Sequence, residues 1–255
     1  MRKIMAIKFK DILSIFVLLS ILIIMVFTSG RLTNHIIEVV SQKRLLPIYS
    51  VETTDKKVAL TFDCAWGAND IDEIINALGR KNVSATFFTV GTWVDKYSTE
   101  VKKLSDSGHE IGNHSNNHAH VNNLSYDANL SDMKKCNEKI EKITGKKVKF
   151  YRGPYGEYNN VVISTAEELG MKVIQWDVDT LDYMGKTPDE MCARITKKIR
   201  NGSIILMHND TEYTSKGLEQ IIECIQNKGY DIVPLSELIY EGDYYIDHEG
   251  RQIKK

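Results

Sequence analysis

Ionisable side chains recur in this sequence where short apolar runs end. They include a carboxylate, a spaced pair of imidazoles, a guanidinium and a further imidazole. Carboxylates and imidazoles exchange protons near neutral pH, and imidazoles also bind metal ions. If these groups meet in the folded chain, they could hold one cation and move protons beside it. In chain order they are Asp63, His114 with His118, Arg152 and His208.

The segment HEIGNHSNNHAH places His114 and His118 four residues apart, with His109 and His120 flanking them. If the chain turns helically after His114, both imidazoles face one way and can hold a single cation. Neutral imidazoles suit zinc and its first-row neighbours. An isolated pair at this spacing is more often two surface histidines in a polar loop.

The other groups each have a structural alternative. Arg152, in FYRGPYG, can hold a carboxylate bidentately and keep it ionised, or can form a structural salt bridge. His208, in IILMHND, follows four apolar residues and could be a buried core histidine. Trp66, Tyr155 and Tyr183 could form a floor on which a sugar stacks, or could simply pack.

Alternating β-rich and helical patterns must position these groups. The alternation predicts a mainly parallel sheet covered by helices, and six or seven such units predict a barrel or barrel-like sheet. Residues at the C-terminal ends of the strands line the site in that architecture. Ser125 predicts a helix N-cap, and Gly145, Gly170 and Gly229 predict helix ends. Strands are expected at 57–62, 85–90, 110–113, 150–152, 172–177, 203–207 and 231–233, and helices at 71–80, 99–107, 126–144, 159–168, 188–200 and 215–227.

The N-terminal 30 residues differ in character from the rest of the chain. Four basic residues within positions 2–10 precede a nearly unbroken apolar run over 12–27. A spanning helix needs about 17–25 such residues and a cleaved signal peptide about 7–15, so this run lies on the border. We expect an uncleaved single-pass anchor, with its basic end in the cytoplasm and the remaining chain outside the cytoplasmic membrane. Cleavage, which would give a secreted protein, remains the alternative.

Composition limits what the remaining chain can be. The 255 residues are 42% hydrophobic and 26% charged, which is typical of a globular protein with one sizeable core. A net charge of -1 gives no electrostatic footprint for nucleic acid. We expect a linker and irregular strand at 31–54, a single domain at 55–240 and a tail at 241–255. The four cysteines contain no C-x-x-C pair, and spacing alone does not assign disulfide partners.

Five short motifs resemble those of the NodB-type polysaccharide deacetylases, carbohydrate esterase family four. In order they are TFDCAWG, HSNNH, RGPYG, DTLDY and LMHND, and the resemblance runs from about residue 56 to 239. The segments VSATFFTVG and SDSGHEIGNH also look like that family. The sporulation-associated deacetylases are the subgroup that the first motif resembles most.

The resemblance implies a distorted (β/α) barrel that removes acetyl groups from peptidoglycan, chitin or xylan with one divalent metal ion. We expect Zn²⁺, with Co²⁺ or another first-row metal as alternatives, and a monomer acting on the N-acetylated glycan of the cell wall. The alternatives are an inactive or weak glycan-binding homologue and an O-deacetylase of a polymer such as xylan.

Carried over position by position, the resemblance makes His114 and His118 metal ligands and Asp63 the general base that takes a proton from the attacking water. Arg152 would keep Asp63 charged. His208 would be the general acid for the departing amine, and Asp182 would orient it. The substrate-binding positions would be the backbone N–H of Tyr155 in the oxyanion hole, Leu206 and Tyr183 beside the acetyl group, and Pro154 and Trp66 at the rim.

Two positions depart from the family pattern. Tyr183 stands where the fourth motif commonly has Trp, and Cys64 stands where the first motif commonly has a metal-binding Asp. The Cys64 thiolate could itself bind zinc, a carboxylate such as Asp70 or Asp72 could replace the missing ligand, or the third ligand could be absent and metal binding weaker. Because the base, the acid and both imidazoles remain, we expect the activity to be retained.

Overall fold

The computed structural model describes residues 18–26 and 44–255. Residues 18–26 are helical and exposed. Within the described residues, no helix has both the length and the apolar character needed to cross a bilayer. Positions 12–17 and 27 of the predicted anchor over 12–27 lie outside the described residues. The compact unit that contains the predicted catalytic groups spans Leu45–Lys255.

A parallel sheet of eight strands forms the centre of this unit. The strands of the unit are β1 (Ser50–Val51), β2 (Lys57–Cys64), β3 (Thr86–Thr89), β4 (Glu110–Asn113), β5 (Phe150–Tyr151), β6 (Lys172–Val173), β7 (Val178–Asp179), β8 (Ile204–His208), β9 (Asp231–Ile232), β10 (Tyr244–Ile246) and β11 (Arg251–Lys254). The order in the sheet is β6-β5-β4-β3-β2-β8-β7, and β9 pairs with β2 beside that path. The curled sheet stays open, because its margin strands β6 and β7 do not pair with each other in the described part of the chain.

The single strand predicted over 172–177 is wrong, since that segment ends as β6 and the chain resumes only at β7. Between them Ile174 forms an isolated bridge with Ile48, and Gln175 donates its backbone N–H to the Ile48 carbonyl. The segment at Ile48 therefore bonds to backbone groups that a continuous strand would have offered to the sheet. The predicted barrel is in this respect an open, curled sheet.

Helices cover the sheet, and their ends follow local sequence signals. The helices of the unit are α1 (Ile71–Arg80), α2 (Gly91–Lys96), α3 (Ser98–Asp106), α4 (Tyr126–Thr144), α5 (Asn160–Glu168), α6 (Pro188–Lys198), α7 (Thr214–Asn227) and α8 (Leu235–Leu238). Ser125 caps α4 by accepting a hydrogen bond from the Ala128 N–H, and Gly145 ends that helix with φ +67°. Thr187 and Glu190 form a reciprocal capping box at the start of α6.

Side chains of β2 alternate between two environments. Phe62 and Cys64 belong to the large apolar core that also contains helix residues. Thr61 and Asp63 are buried on the other face of the strand. The same strand end therefore sends a carboxylate towards the inside of the curled sheet and the following thiol into the helix-facing core.

The C-terminal segment is part of the fold, so the predicted tail at 241–255 is wrong. Strands β10 and β11 form an antiparallel hairpin, and β11 pairs in parallel with β1, which lies inside the predicted linker 31–54. The pairing of β1 with β11 joins residues separated by most of the domain, which no local pattern reveals. The short helices α2 and α8 were also missed, because a helix of four to six residues shows little periodicity.

Candidate active site

A cavity of about 360 Å³ opens at the C-terminal ends of β2, β4 and β8. The sequence rule for parallel sheets placed the site at this end, and most predicted residues meet here. Its described lining consists of Asp63, Ala65, Trp66, His114, His118, Tyr155, Gly156, Trp176, Asp179, Tyr183, Leu206 and His208.

Arg152 holds the Asp63 carboxylate in a fixed position, as predicted. Its Nη1 donates to Asp63 Oδ1 at 2.7 Å, while Nη2 donates to Thr61 Oγ1 at 3.0 Å and to the Gln175 carbonyl at 3.1 Å. The guanidinium is fully buried and lies 4.2 Å from the ring centre of Phe88. Burial alone would raise the pKa of Asp63, but the charge and hydrogen bond of Arg152, together with His114 and His208, outweigh burial and lower that pKa below its ordinary value. Asp63 is therefore an ionised proton acceptor.

The two imidazoles lie side by side next to this carboxylate. The ring centres of His114 and His118 are 5.2 Å apart, and His114 Nε2 is 3.7 Å from Asp63 Oδ2. His114 Nδ1 contacts the Arg152 carbonyl at 2.8 Å, which places the proton on Nδ1 and leaves the Nε2 lone pair for another partner. Burial lowers the pKa of His114 to about 4 and also lowers that of His118. Both rings are thus neutral and able to bind a cation.

A loop brings the imidazoles together, not the helical turn considered from their spacing. Ser115 and His118 both adopt left-handed backbone conformations, with φ +68° and +56°. Buried Asn113 supports the loop, since its Oδ1 accepts from the Ser115 N–H and its Nδ2 donates to the Met133 carbonyl and to Asn137 Oδ1. The loop conformation thus depends on a side chain anchored to α4.

The described part of the chain contains no group of three His, Cys, Asp or Glu side chains that could hold a metal ion. The pair His114 and His118 therefore has no third protein ligand there. Cys64 is fully buried in the apolar core, and burial raises the pKa of its thiol well above the usual value. Asp70 accepts from the Asp210 N–H, and Asp72 pairs with Lys103. None of these three side chains lines the cavity as described.

His208, which lines the same cavity, forms a second pair with buried Asp182. His208 Nδ1 contacts Asp182 Oδ1 at 2.9 Å, and Asp182 Oδ2 accepts from the His208 N–H at 2.6 Å and from Thr214 Oγ1 at 2.8 Å. Burial alone would lower the pKa of His208, but the adjacent Asp182 carboxylate raises it above 6.5. His208 is therefore suited to donate a proton at neutral pH.

Three exposed aromatic rings surround the opening. Trp66, Tyr155 and Tyr183 are 56%, 61% and 52% exposed, which is unusual for such large side chains and fits stacking against a sugar ring. Trp66 lies about 6 Å from both His118 and His208.

The rim and walls of the cavity contain both predicted and missed residues. Pro154 begins the short turn that gives Tyr155 a left-handed φ of +60°, and Leu206 forms part of the wall. Trp176 and Asp179 also line the cavity and were missed as site residues. Both belong to WDVDTLDY, in which the sequence offers several carboxylates without distinguishing them.

The family model for polysaccharide deacetylase matches residues 50–174. The chain is 37% identical over 195 residues to the YlxY protein of Bacillus subtilis, covering 76% of this chain and 61% of that protein. It is 31% identical over 206 residues to PgdA of Listeria monocytogenes, a peptidoglycan-N-acetylglucosamine deacetylase, covering 79% of this chain and 44% of PgdA. The chain thus spans about half the length of these relatives.

The solved structure of BA3943 from Bacillus anthracis, described as a pseudoenzyme of carbohydrate esterase family four, resembles this fold. The TM-score is 0.74 and the sequence identity 32%, covering 82% of this chain and 73% of BA3943. A BA3943 mutant described as having restored enzymatic activity has the same TM-score and 36% identity, covering 76% and 71% of the two chains. Similar structures thus include both an inactive protein and its reactivated form.

Proposed function

The chain belongs to the polysaccharide deacetylase family, and on that premise we propose that it is a hydrolase that removes N-acetyl groups from amino sugars of the cell wall. One observation carries this proposal. The ionised carboxylate of Asp63 and the imidazole of His208, whose pKa is raised, line the same cavity. A proton acceptor and a proton donor are what amide hydrolysis requires.

The two pairs divide the proton transfers between them. Asp63 accepts a proton from the attacking water, and Arg152 keeps it ionised until that transfer. His208 donates a proton to the departing amine, and Asp182 holds the ring with Nδ1 protonated. Amines are poor leaving groups unless protonated, so a histidine whose pKa is raised favours an amide substrate over an ester.

The imidazole pair fits a first-row divalent ion, with Zn²⁺ or Co²⁺ as the expected metal. Both rings are neutral, and the contact of His114 Nδ1 with a carbonyl directs the Nε2 lone pair elsewhere. A bound ion would act as a Lewis acid and lower the pKa of water from 15.7 to about 7. With no third protein ligand among residues 44–255, we expect weaker binding than at a three-ligand site.

The remaining assignments follow from the cavity wall and from the relatives. The Tyr155 N–H would stabilise the oxyanion, Leu206 and Tyr183 would surround the acetyl methyl group, and Trp66 would stack on the sugar. PgdA, a relative, is named for peptidoglycan N-acetylglucosamine, which supports a peptidoglycan-type substrate. The basic and apolar N-terminal sequence supports a membrane-anchored protein acting outside the cytoplasm, and the resemblance of the first motif to the sporulation-associated deacetylases supports a role in sporulation.

A second candidate is a glycan-binding protein without activity. The missing third ligand at Cys64 and the resemblance to the BA3943 pseudoenzyme favour it. This candidate keeps the aromatic rim for saccharide binding but releases no acetate.

Acetate release from peptidoglycan and from chitooligosaccharides tests the proposal. We expect the purified chain with Zn²⁺ or Co²⁺ to release acetate, and Asp63→Asn and His208→Ala to lower the rate at least about 10²-fold. An acetylated xylan measured in parallel separates amide from ester activity.

Three results would contradict the proposal or favour the rival. Release unchanged in both variants would refute the proton-transfer roles. Binding of saccharide with no release under either metal, together with release by Cys64→Asp, would identify the inactive glycan-binding protein. Release from the ester alone would make the protein an O-deacetylase.

A further inference from the structure

Helices α6 and α7 pack along each other so closely that their residues meet in matched pairs. A Cβ atom added to Gly217 on α7 would lie 2.4 Å from Pro188 Cγ on α6, so only glycine permits this approach. One step further along, Gln220 Nε2 donates to Asp189 Oδ1 at 2.5 Å. Both helices run in the same direction, since the paired residues advance together.

The next pair in this series consists of two cysteines. Cys192 Sγ lies 3.7 Å from the Gln220 carbonyl on α7. Cys224 is one helical turn beyond Gln220 and therefore lies on the same face of α7. Cys192 and Cys224 therefore face each other across the two helices, and their interaction adds to burial in raising the pKa of Cys192 to about 12.

We propose that Cys192 and Cys224 are a modification site, a dithiol that oxidises to a disulfide between α6 and α7. The oxidant is a disulfide, either of an exported thiol–disulfide oxidoreductase or of a small molecule. Cys224, which is half-buried, attacks one sulfur of that disulfide and releases the first thiol. Buried Cys192 then attacks Cys224 in the mixed disulfide, forms the internal bond and releases the second thiol.

The other two cysteines are unsuited to this chemistry. Cys64 and Cys136 are fully buried, so an external disulfide does not reach either thiol, whereas Cys224 is half-buried. Cys136 Sγ lies 3.5 Å from the Thr89 carbonyl at the end of β3. They serve as internal controls in the same molecule.

The bridge would fasten the elements behind the proposed general acid. Helix α6 follows the turn Asp182–Met184, and α7 begins at Thr214, whose hydroxyl donates to Asp182. The loop closed by the bond contains β8 and His208. A disulfide restricts the unfolded chain, so the oxidised form should be more stable than the reduced form.

Incubation of the purified chain with oxidised glutathione tests the inference. We expect a mass about 2 Da lower, from loss of two thiol hydrogens, and a peptide map that links Cys192 to Cys224. We also expect a melting temperature about 5–10 °C higher, reversed by dithiothreitol. Neither readout depends on acetate release, so failure of the inference is distinct from failure of the proposed function.

Variants Cys192→Ser and Cys224→Ser are the matched controls, and neither should show the mass loss. Cys64 and Cys136 should stay unmodified in all three proteins. Any of three results in the wild type would overturn the inference. They are a stable glutathione adduct on Cys224 without internal closure, no change of mass, and a link involving Cys64 or Cys136.

Discussion

At the scale of single residues, two buried carboxylates differ in the partner that each one faces. Asp63 faces a guanidinium and stays ionised below its ordinary pKa. Asp182 faces an imidazole and raises the pKa of that ring, so His208 stays protonated where a free histidine would lose its charge. Each pair therefore favours one protonation state: Asp63 is ionised on one side of the cavity, and His208 is protonated on the other.

We expect Asp182→Asn to move the alkaline limb of the pH–rate profile to lower pH. The raised pKa of His208 means that the acid form persists above pH 6.5, and activity declines as pH rises through that pKa. Removing the carboxylate charge lowers the pKa, so the rate at pH 8 should fall about 10²-fold. Rates of acetate release across the pH range measure this effect.

Thr214→Val is the control for this prediction. It removes one hydrogen bond to Asp182 Oδ2 but leaves the carboxylate charge beside the ring. The limb should then stay near its original position. A limb that does not move in Asp182→Asn would rule out His208 as the titrating acid.

At the scale of elements, the supporting loops matter as much as the strand ends. Strand β2 places Asp63 by simple alternation, but the imidazoles depend on a loop with two left-handed residues. Such conformations cost energy in residues other than glycine and persist only when neighbouring contacts hold them. Asn113 supplies those contacts from the end of β4 to α4.

We expect Asn113→Ala to loosen this loop. The variant loses the hydrogen bonds to Ser115, Met133 and Asn137, and the free energy of unfolding should fall by about 1–3 kcal/mol. Affinity for Zn²⁺ should fall about 10- to 100-fold, because outer contacts orient the ligands. Urea unfolding and zinc titration measure the two effects.

Asn137→Ala is the matched control, because it removes one partner of Asn113 and leaves the bond to Ser115 in place. It should lower stability but change zinc affinity much less. Equal zinc affinity in Asn113→Ala and the wild type would show that the loop does not depend on Asn113.

At the scale of the whole molecule, the C-terminal hairpin completes the unit. Strand β11 pairs with β1, and the buried Gln252 side chain bonds both the N–H and the carbonyl of Tyr240. Beside it lies a second apolar cluster that contains Ile48 and Val51 and is separate from the large core. The N-terminal and C-terminal parts of the domain therefore stabilise each other.

We expect a chain truncated after Tyr240 to melt about 5–10 °C lower, because Ile48 and Val51 lose cover and β1 loses its partner. None of the described cavity residues lies beyond 240, so acetate release at low temperature should persist. Calorimetry and the acetate assay measure the two. A melting temperature equal to that of the full chain would show that the hairpin is dispensable.

Much of this protein is readable along the chain, because periodicity, caps and short motifs are local. The bounds of α1 and α4, the cap at Ser125 and the residues of both proton-transfer pairs follow from such signals. Other features arise only when distant segments meet. The gap between β6 and β7, the pairing of β1 with β11, the burial of Cys64 away from the cavity and the meeting of Cys192 with Cys224 depend on contacts across the fold. Strand alternation and helix spacing then decide which side chain faces which neighbour, and no window of sequence contains both partners.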